Sequence, residues 1–415
     1  MKEWQRAREY KFVDVCRIDS PRGQSKERRM TCKYRSVSGL FAVVLLTSCF
    51  ANSVEAQSSG RQTSSGAPVP LSAAIDARTW NRVDSSTDRA LAWLAAGQRR
   101  TGNGSFVAPT SGQPGVTSLG AMAFMSKGHV PGGGKYGTEL EAAVDYVISC
   151  QRSDGLISGG PGGRNFDGKT ALYNHAIAGL MLSQAYGMVD RERADRIAEV
   201  VPRALAFTRK RQSLPRPSHE KGGWRYFYQG NPESDLSVTG WQMMFLRSAK
   251  NAGFDVPQQH IDEALKYVHS CWDDNEGVFY YMRRTGNVRW SRGMCGVGVV
   301  ALAMGGEHKT AISRRAGRVI LNNGFHRYGD RVGSGGERWF YSAYVCSQAM
   351  SQLGGDYWET FYPTLVQTIL ATQRPDGSWP AEPHSGDSKY GNACTTTFSV
   401  LAMTPPLQLL PLYQR

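Results

Sequence analysis

Between residues 85 and 405 apolar positions recur at three- and four-residue spacing, as at Ala264, Leu265 and Val268. That is the period of helices with one buried stripe. Two kinds of helical segment alternate. The first is amphipathic and charged: residues 85–98, 138–151, 195–211, 258–271, 309–323 and 356–373. The second is rich in Gly, Ala and Ser: residues 115–128, 170–187, 235–253, 292–306, 341–355 and 393–403. A helical Gly costs about 1 kcal/mol relative to Ala, so its repeated use predicts close approach between neighbouring helices. Most of the second set also end in Gly, as left-handed C-caps do. Strand-like stretches are sparse.

Polar, Gly-rich turns carrying Gln or an aromatic separate each charged segment from the next small-residue one, at residues 94–106, 148–157, 211–224, 269–281, 332–341 and 370–380. The period is roughly 45–65 residues, in the range of repeat arrays. Six helical hairpins with no other domain predict an all-α (α/α)6 toroid, small-residue helices inside and charged helices outside, with function in the enclosed cavity.

Composition changes this picture little. The 415 residues are 40% hydrophobic and 20% charged, ordinary globular material. At the N-terminus, residues 40–50 form an apolar run too short to span a membrane, flanked by Lys33 and Arg35 and followed by Val54-Glu55-Ala56. This reads as a signal peptide, with residues 1–56 an upstream extension plus leader and Met30 the expected true start. Export is the expectation, with release after Ala56 or lipid anchoring at Cys49 as alternatives. Residues 57–84 read as a flexible linker, 85–405 as the toroid and 406–415 as a tail. Without the leader the chain keeps 38 Lys and Arg against 29 Asp and Glu, a surplus of 9 spread without a basic block. Nucleic-acid binding is therefore not expected. Outside the leader, Cys150, Cys271, Cys295, Cys346 and Cys394 form no CxxC or Cys/His ligand cluster. No metal and no cofactor is expected.

The turns Gln151-Arg152-Ser153-Asp154-Gly155 and Gln373-Arg374-Pro375-Asp376-Gly377-Ser378-Trp379 resemble the glutamine–tryptophan repeats of the terpenoid cyclase and protein prenyltransferase superfamily, which includes the squalene cyclases. The resemblance covers roughly residues 85–405 and implies that these turns staple one hairpin to the next. Residues 222–226, 235–242 and 172–175 are similar to those of an exported bacterial subgroup of cyclase-repeat proteins. The resemblance implies an isoprenoid or other lipid ligand and peripheral membrane association.

The family's chemistries are only partly represented. Squalene–hopene cyclases protonate an alkene with an Asp-x-Asp-Asp acid; the matching place, Pro232-Glu233-Ser234-Asp235, keeps only the last carboxylate. The zinc-binding Asp-x-Cys of prenyltransferases would fall at Gly293-Met294-Cys295, where the Asp is missing. The thioester motif of complement-like toroids is absent at Gly335-Gly336-Glu337-Arg338. Asp235 is then either a general acid or the N-cap of its own helix. His175 is either a proton shuttle or a hydrogen-bonded core histidine, and Tyr173 stands with it near a helix start. Trp224, Tyr226, Trp241, Tyr280, Tyr281, Trp290, Trp339 and Tyr344 are the candidate ligand-binding aromatics, or plain core. Arg225 and Arg289 either bind an anionic group or cover Trp faces. The functional expectation is an exported squalene-cyclase-like toroid that binds, or also transforms, an isoprenoid or other bulky apolar ligand. If it is an enzyme, a cyclase-like isomerase or lyase is expected. The alternatives are a carbohydrate-active (α/α)6 enzyme, drawing on Asp235, Asp387, Tyr173, His175 and Arg225, and a non-catalytic scaffold.

Overall fold

The computed structural model describes residues 70–413 apart from 164–167, 228–232, 283–288, 383 and 385. The leader, with Met30, Cys49 and Ala56, lies outside the described residues. Twelve helices follow in order. The outer ones are α1 (Ala77–Thr101), α3 (Gly137–Ser149), α5 (Arg191–Gln212), α7 (Gln258–Ser270), α9 (Ala311–Asn322) and α11 (Gly355–Thr372). The inner ones are α2 (Gly115–Ser126), α4 (Ala171–Ala185), α6 (Leu236–Asn251), α8 (Arg292–Met304), α10 (Trp339–Leu353) and α12 (Gly391–Met403). Each inner helix packs on the next, and α12 returns to α2, so the inner ring closes; α11 against α1 closes the outer ring. The expected (α/α)6 toroid is the fold observed. A hairpin of two-residue strands, Trp272–Asp273 and Val278–Phe279, is the one sheet among the described residues.

Inner glycines do let helices approach. A methyl group on Gly179 would sit 2.5 Å from the Phe245 ring, on Gly240 2.4 Å from Val297, and on Gly293 2.2 Å from Ser342. Gly120 and Gly298 have a different partner, the Phe106 and Phe279 rings of the preceding turns.

The turns staple the hairpins by one repeated construction. Four outer helices end near a Gln whose Nε2 donates twice, to a glycine carbonyl of its own turn and to a backbone carbonyl of the next outer helix. Gln98 reaches Gly104 and Glu139, Gln151 reaches Gly155 and Val200, Gln212 reaches Gly222 and His260, and Gln373 reaches Gly377 and Ser86. These four glycines are left-handed, and a Cβ on any of them would collide with a further carbonyl of that same next helix, at Ala142, Arg203, Glu263 or Arg89. Only Gly meets both demands. Just after the glycine, a buried residue gives its N–H to the start of the following inner helix: Phe106 to Thr117, Trp224 to Thr239, Trp379 to Thr396, and Ile157 to His175. The Trp224 and Trp379 indoles donate back to the Thr208 and Ile369 carbonyls of the outer helices.

The fifth connection, 323–338, lacks the Gln, and Arg292 replaces it. Its fully buried guanidinium bonds the carbonyls of Asn323 and Gly324, the side chains of Asp330 and Glu337, and lies 3.8 Å over the Phe325 ring.

One boundary differs from the sequence expectation. Helix α1 starts at Ala77, inside the segment expected as linker, with Asp76 capping the Thr79 N–H and Val83 buried. In the tail, short 3-10 turns at Pro405–Leu407 and Pro411–Tyr413 pack on α10, α12 and α6, with Leu410 and Leu412 buried.

Candidate functional site

With the tail on the other end, the barrel opens where the inner helices begin. The cavity there has a volume of about 650 Å³ and is lined by the first turns of all six inner helices and the loops before them. Its depth is apolar and aromatic: Leu119, Ile177, Trp241, Met294 and Phe398. Trp241 stacks on Tyr341 and on Tyr344, and Tyr344 stacks in turn on Phe398 at 5.5 Å. Burying several rings in offset stacks makes this floor rigid as well as apolar.

Ionisable groups lie above, on the loops: Lys169, Arg289, Glu337, Arg338, Glu382, His384, Asp387 and Lys389. Two of these carboxylates already have structural partners. Glu382 accepts the Trp339 and Phe340 N–H groups at 2.7 and 3.2 Å, capping α10, whose own N-cap Arg338 has no side-chain cap. Glu337 accepts from Arg292 and the Val332 N–H, each at 3.0 Å. Burial pushes both carboxyls up, most strongly opposed at Glu337 by Arg292 and at Glu382 by those two N–H groups. Asp387 pairs with Arg338 at the half-buried rim.

One wall carries a connected cluster. Asp235, fully buried, caps α6 by accepting the Val238 N–H at 2.8 Å, and its other oxygen is 3.2 Å from Arg225 Nη1. The same nitrogen lies 3.4 Å from the Tyr281 hydroxyl, which is 2.7 Å from the Tyr226 hydroxyl. Arg225 also pairs with Glu233 at 3.0 Å, and its guanidinium lies 4.6 Å over the Tyr226 ring. Burial pushes the Asp235 carboxyl up to about 6, against the pull of Arg225, the Val238 N–H and Tyr281. Burial also keeps Tyr173, Tyr226 and Tyr281 in their neutral forms, with the Asp235 charge acting the same way.

Of the residues singled out from sequence, Tyr173, Tyr226, Trp241, Tyr281 and Trp290 line the cavity, and Asp235 stands directly behind Tyr281. Tyr344 supports the floor from below. Trp224, Tyr280 and Trp339 are not lining residues. Trp224 is the turn staple, Tyr280 forms a backbone bridge with Trp290 within the same connection, and the Trp339 indole bonds Arg327 and Asp330. His175 does not reach the cavity either. Its Nδ1 accepts the Ile157 N–H at 3.1 Å, Nε2 faces Thr208 Oγ1 at 3.0 Å, and burial pushes it down to about 4. It stands where Thr117, Thr239 and Thr396 stand in other hairpins, and aligning the inner helices by that Thr would have revealed this. The sequence reading did not single out Lys169, Tyr341, Glu382, His384 or Phe398 as site residues; the charge density of residues 382–389 just before an inner helix was the available signal. Among the described residues no group of three or more His, Cys, Asp or Glu could hold a metal ion, and no helix is long and apolar enough to cross a membrane.

No protein-family model and no curated protein matches the chain. Solved structures do. A sugar epimerase from a ruminal bacterium matches with a TM-score of 0.59 at 12% identity, covering 80% of this chain and 99% of that one. A GH76 α-mannanase from Bacteroides thetaiotaomicron matches with 0.56 at 11%, covering 79% and 97%. The type II terpene cyclase MstE from Scytonema, in complex with geranylgeranyl dihydroxybenzoate, matches with 0.53 at 15%, covering 81% and 100%. Such identities establish a shared toroid and leave activity to the site itself.

Proposed function

We propose that the open end of the toroid binds a bulky, largely apolar ligand of isoprenoid type, with a polar or anionic end at the rim. The observation that carries this reading is the segregation of the cavity, aromatic and aliphatic at depth and ionisable only along its walls and mouth. A volume of about 650 Å³ suits a terpenoid-sized body. Lys169, Arg289 and Lys389 at the mouth, together with inner-helix N-termini directed there, favour a negative end group. The terpene cyclase neighbour holds a ligand of this kind, a prenylated benzoate. Alkene protonation is not part of the proposal. Asp235 pairs with Arg225 and caps a helix, and both contacts favour its ionised form.

A second reading, carbohydrate binding or turnover, rests on the Asp387–Arg338 pair and the tyrosines in an open mouth, and on the mannanase and epimerase neighbours. Thermal-shift and native mass spectrometry with a geranylgeranyl benzoate and with a mannotriose separate the two. The prenyl compound is expected to bind and raise the melting temperature, and Ile177→Trp, which fills the floor, is expected to abolish the shift. Stabilisation by the sugar alone would overturn the isoprenoid reading. The apolar run of residues 40–50, read as the core of a signal peptide within residues 1–56, supports export as the setting for either activity.

A further inference from the structure

The Asp235 cluster links a buried carboxylate to the cavity surface through Arg225 and two hydroxyls in series. Ionised Asp235 is the member with no proton of its own, so the hydrogen bonds orient toward it. The Tyr226 and Tyr281 hydroxyls are 2.7 Å apart and either can donate, and Arg225 Nη1 lies 3.4 Å from the Tyr281 oxygen; with Tyr281 donating to ionised Asp235, the shared hydrogen bond runs from Tyr226 to Tyr281. The Tyr226 and Tyr281 rings are both cavity wall, whereas Asp235 is sealed from solvent. A cap or an ion pair alone does not require two tyrosines in series ending at a ligand surface. We propose that Tyr226 is a catalytic proton acceptor for the ligand bound in this cavity, with Tyr281 and Arg225 positioning it and Asp235 receiving the proton.

The step balances within the cluster. A C–H or O–H bond of the ligand breaks and leaves its electron pair on the ligand. Its proton bonds to Tyr226 as the former Tyr226 proton passes to Tyr281 and the Tyr281 proton to Asp235. Both tyrosines end as they began, Asp235 ends neutral, and the ligand has lost one unit of positive charge. The substrate class is an apolar molecule with one acidified hydrogen, beside a carbonyl, on a phenol or next to a cationic carbon. The inference rests on the apolar-ligand reading above.

Asp235 faces Arg225, itself paired with Glu233, from its own loop, Tyr226 and Tyr281, Tyr173 of α4, Tyr267 and Cys271 at the end of α7, and Tyr341 of α10. Burial holds the phenols and the Cys271 thiol protonated, so they do not titrate where the carboxyl does. Proton acceptance should therefore fail as pH drops through about 6. One unit below that value about nine-tenths of the carboxyl is protonated.

The full chain with 2-naphthol provides the test. This bicyclic photoacid emits at different wavelengths as naphthol and naphtholate, so binding and proton transfer are read separately. Bound probe is expected to show naphtholate emission at pH 7.5, reduced about tenfold at pH 5. Tyr226→Phe and Asp235→Asn, which keep the aromatic wall and the helix cap, should bind the probe and emit as neutral naphthol. Neutral emission from the wild type, or naphtholate emission surviving in Tyr226→Phe, overturns the relay and leaves the apolar-ligand reading standing. Failure of the probe to bind overturns both, because a base that no ligand reaches transfers no proton.

Discussion

His175 and Asp235 are both fully buried, both near the start of an inner helix, and both surrounded by aromatic rings. From sequence they are equal candidates for proton chemistry, yet the structure assigns them to different regions. His175 belongs to the peripheral staples, with both ring nitrogens engaged. Asp235 belongs to the open end, and its second oxygen continues through Arg225 and the tyrosines to the cavity surface. Burial and a perturbed titration do not separate structure from chemistry; what lies beyond the hydrogen-bond partners does.

The largest expected effect tests the two regions with the same kind of interaction. Arg292–Glu337 is an ion pair with neither side chain exposed, whereas the Arg338–Asp387 pair at the cavity rim has side chains about a third exposed, at 30% and 32%. Arg292→Met strands a buried carboxylate and frees the connection 323–338, and should cost about 3–5 kcal/mol in urea unfolding. Arg338→Met should cost about 1 kcal/mol or less, because Asp387 can still meet water. Similar losses at both positions would remove the distinction between a stapled frame and an adaptable mouth.

The pH dependence of stability sets the two buried groups against each other. His175 titrates near 4 when folded against 6.5 ordinarily, so between these values the unfolded chain binds the extra proton. Its contribution is complete above pH 6.5 and is lost on acidification toward 4, about 3 kcal/mol in all. Asp235 has the opposite sign. Its folded value is about 6 against 3.8, so its contribution is present below pH 3.8 and is lost as pH rises through about 6, again about 3 kcal/mol. The two slopes oppose each other between pH 4 and 6. His175→Thr, the residue found at the matching place in three other hairpins, should leave stability falling with rising pH in that window. Asp235→Asn should leave it rising. Urea midpoints across that range check both, and parallel slopes in the two variants would refute the assignment.

This division also explains what the sequence could reveal. The ring was legible because its construction repeats: Gln, left-handed Gly, an N–H donor, then an acceptor on the inner helix. The small-residue helices were found to within two residues at every end. The start of α1 was missed because the charged segment reads as beginning at Ser85, whereas Ser86 lies inside the helix, buried, and donates to Gln373 Oε1 at 2.8 Å, 287 residues away in sequence. Helix α10 starts early because Glu382, from the following connection, supplies its cap. The cavity has no such repetition. Its wall takes different residues from each hairpin, so the aromatics Tyr226 and Tyr281 were visible as types but their coupling to Asp235 was not. Trp224, equally aromatic, is turned to the periphery by its indole bond to Thr208.

The smallest expected effect isolates the staple from the site. Gln212→Leu removes the Nε2 bonds to the Gly222 and His260 carbonyls while keeping the side chain's bulk, and should cost about 1–3 kcal/mol for two acceptors left unmade. Gln373→Leu removes the matching bonds where α11 meets α1, and should cost about the same. Equality is informative, because one staple joins neighbouring hairpins and the other joins the two ends of the array. If the four Gln staples are equivalent, the closing one carries no special weight in the folded state. Affinity for a cavity ligand should be unchanged in Gln373→Leu, since Gln373 is not among the residues lining the cavity. A loss of binding there, at temperatures where the variant is fully folded, would mean that the frame and the mouth are coupled and that the separation drawn between His175 and Asp235 is too sharp.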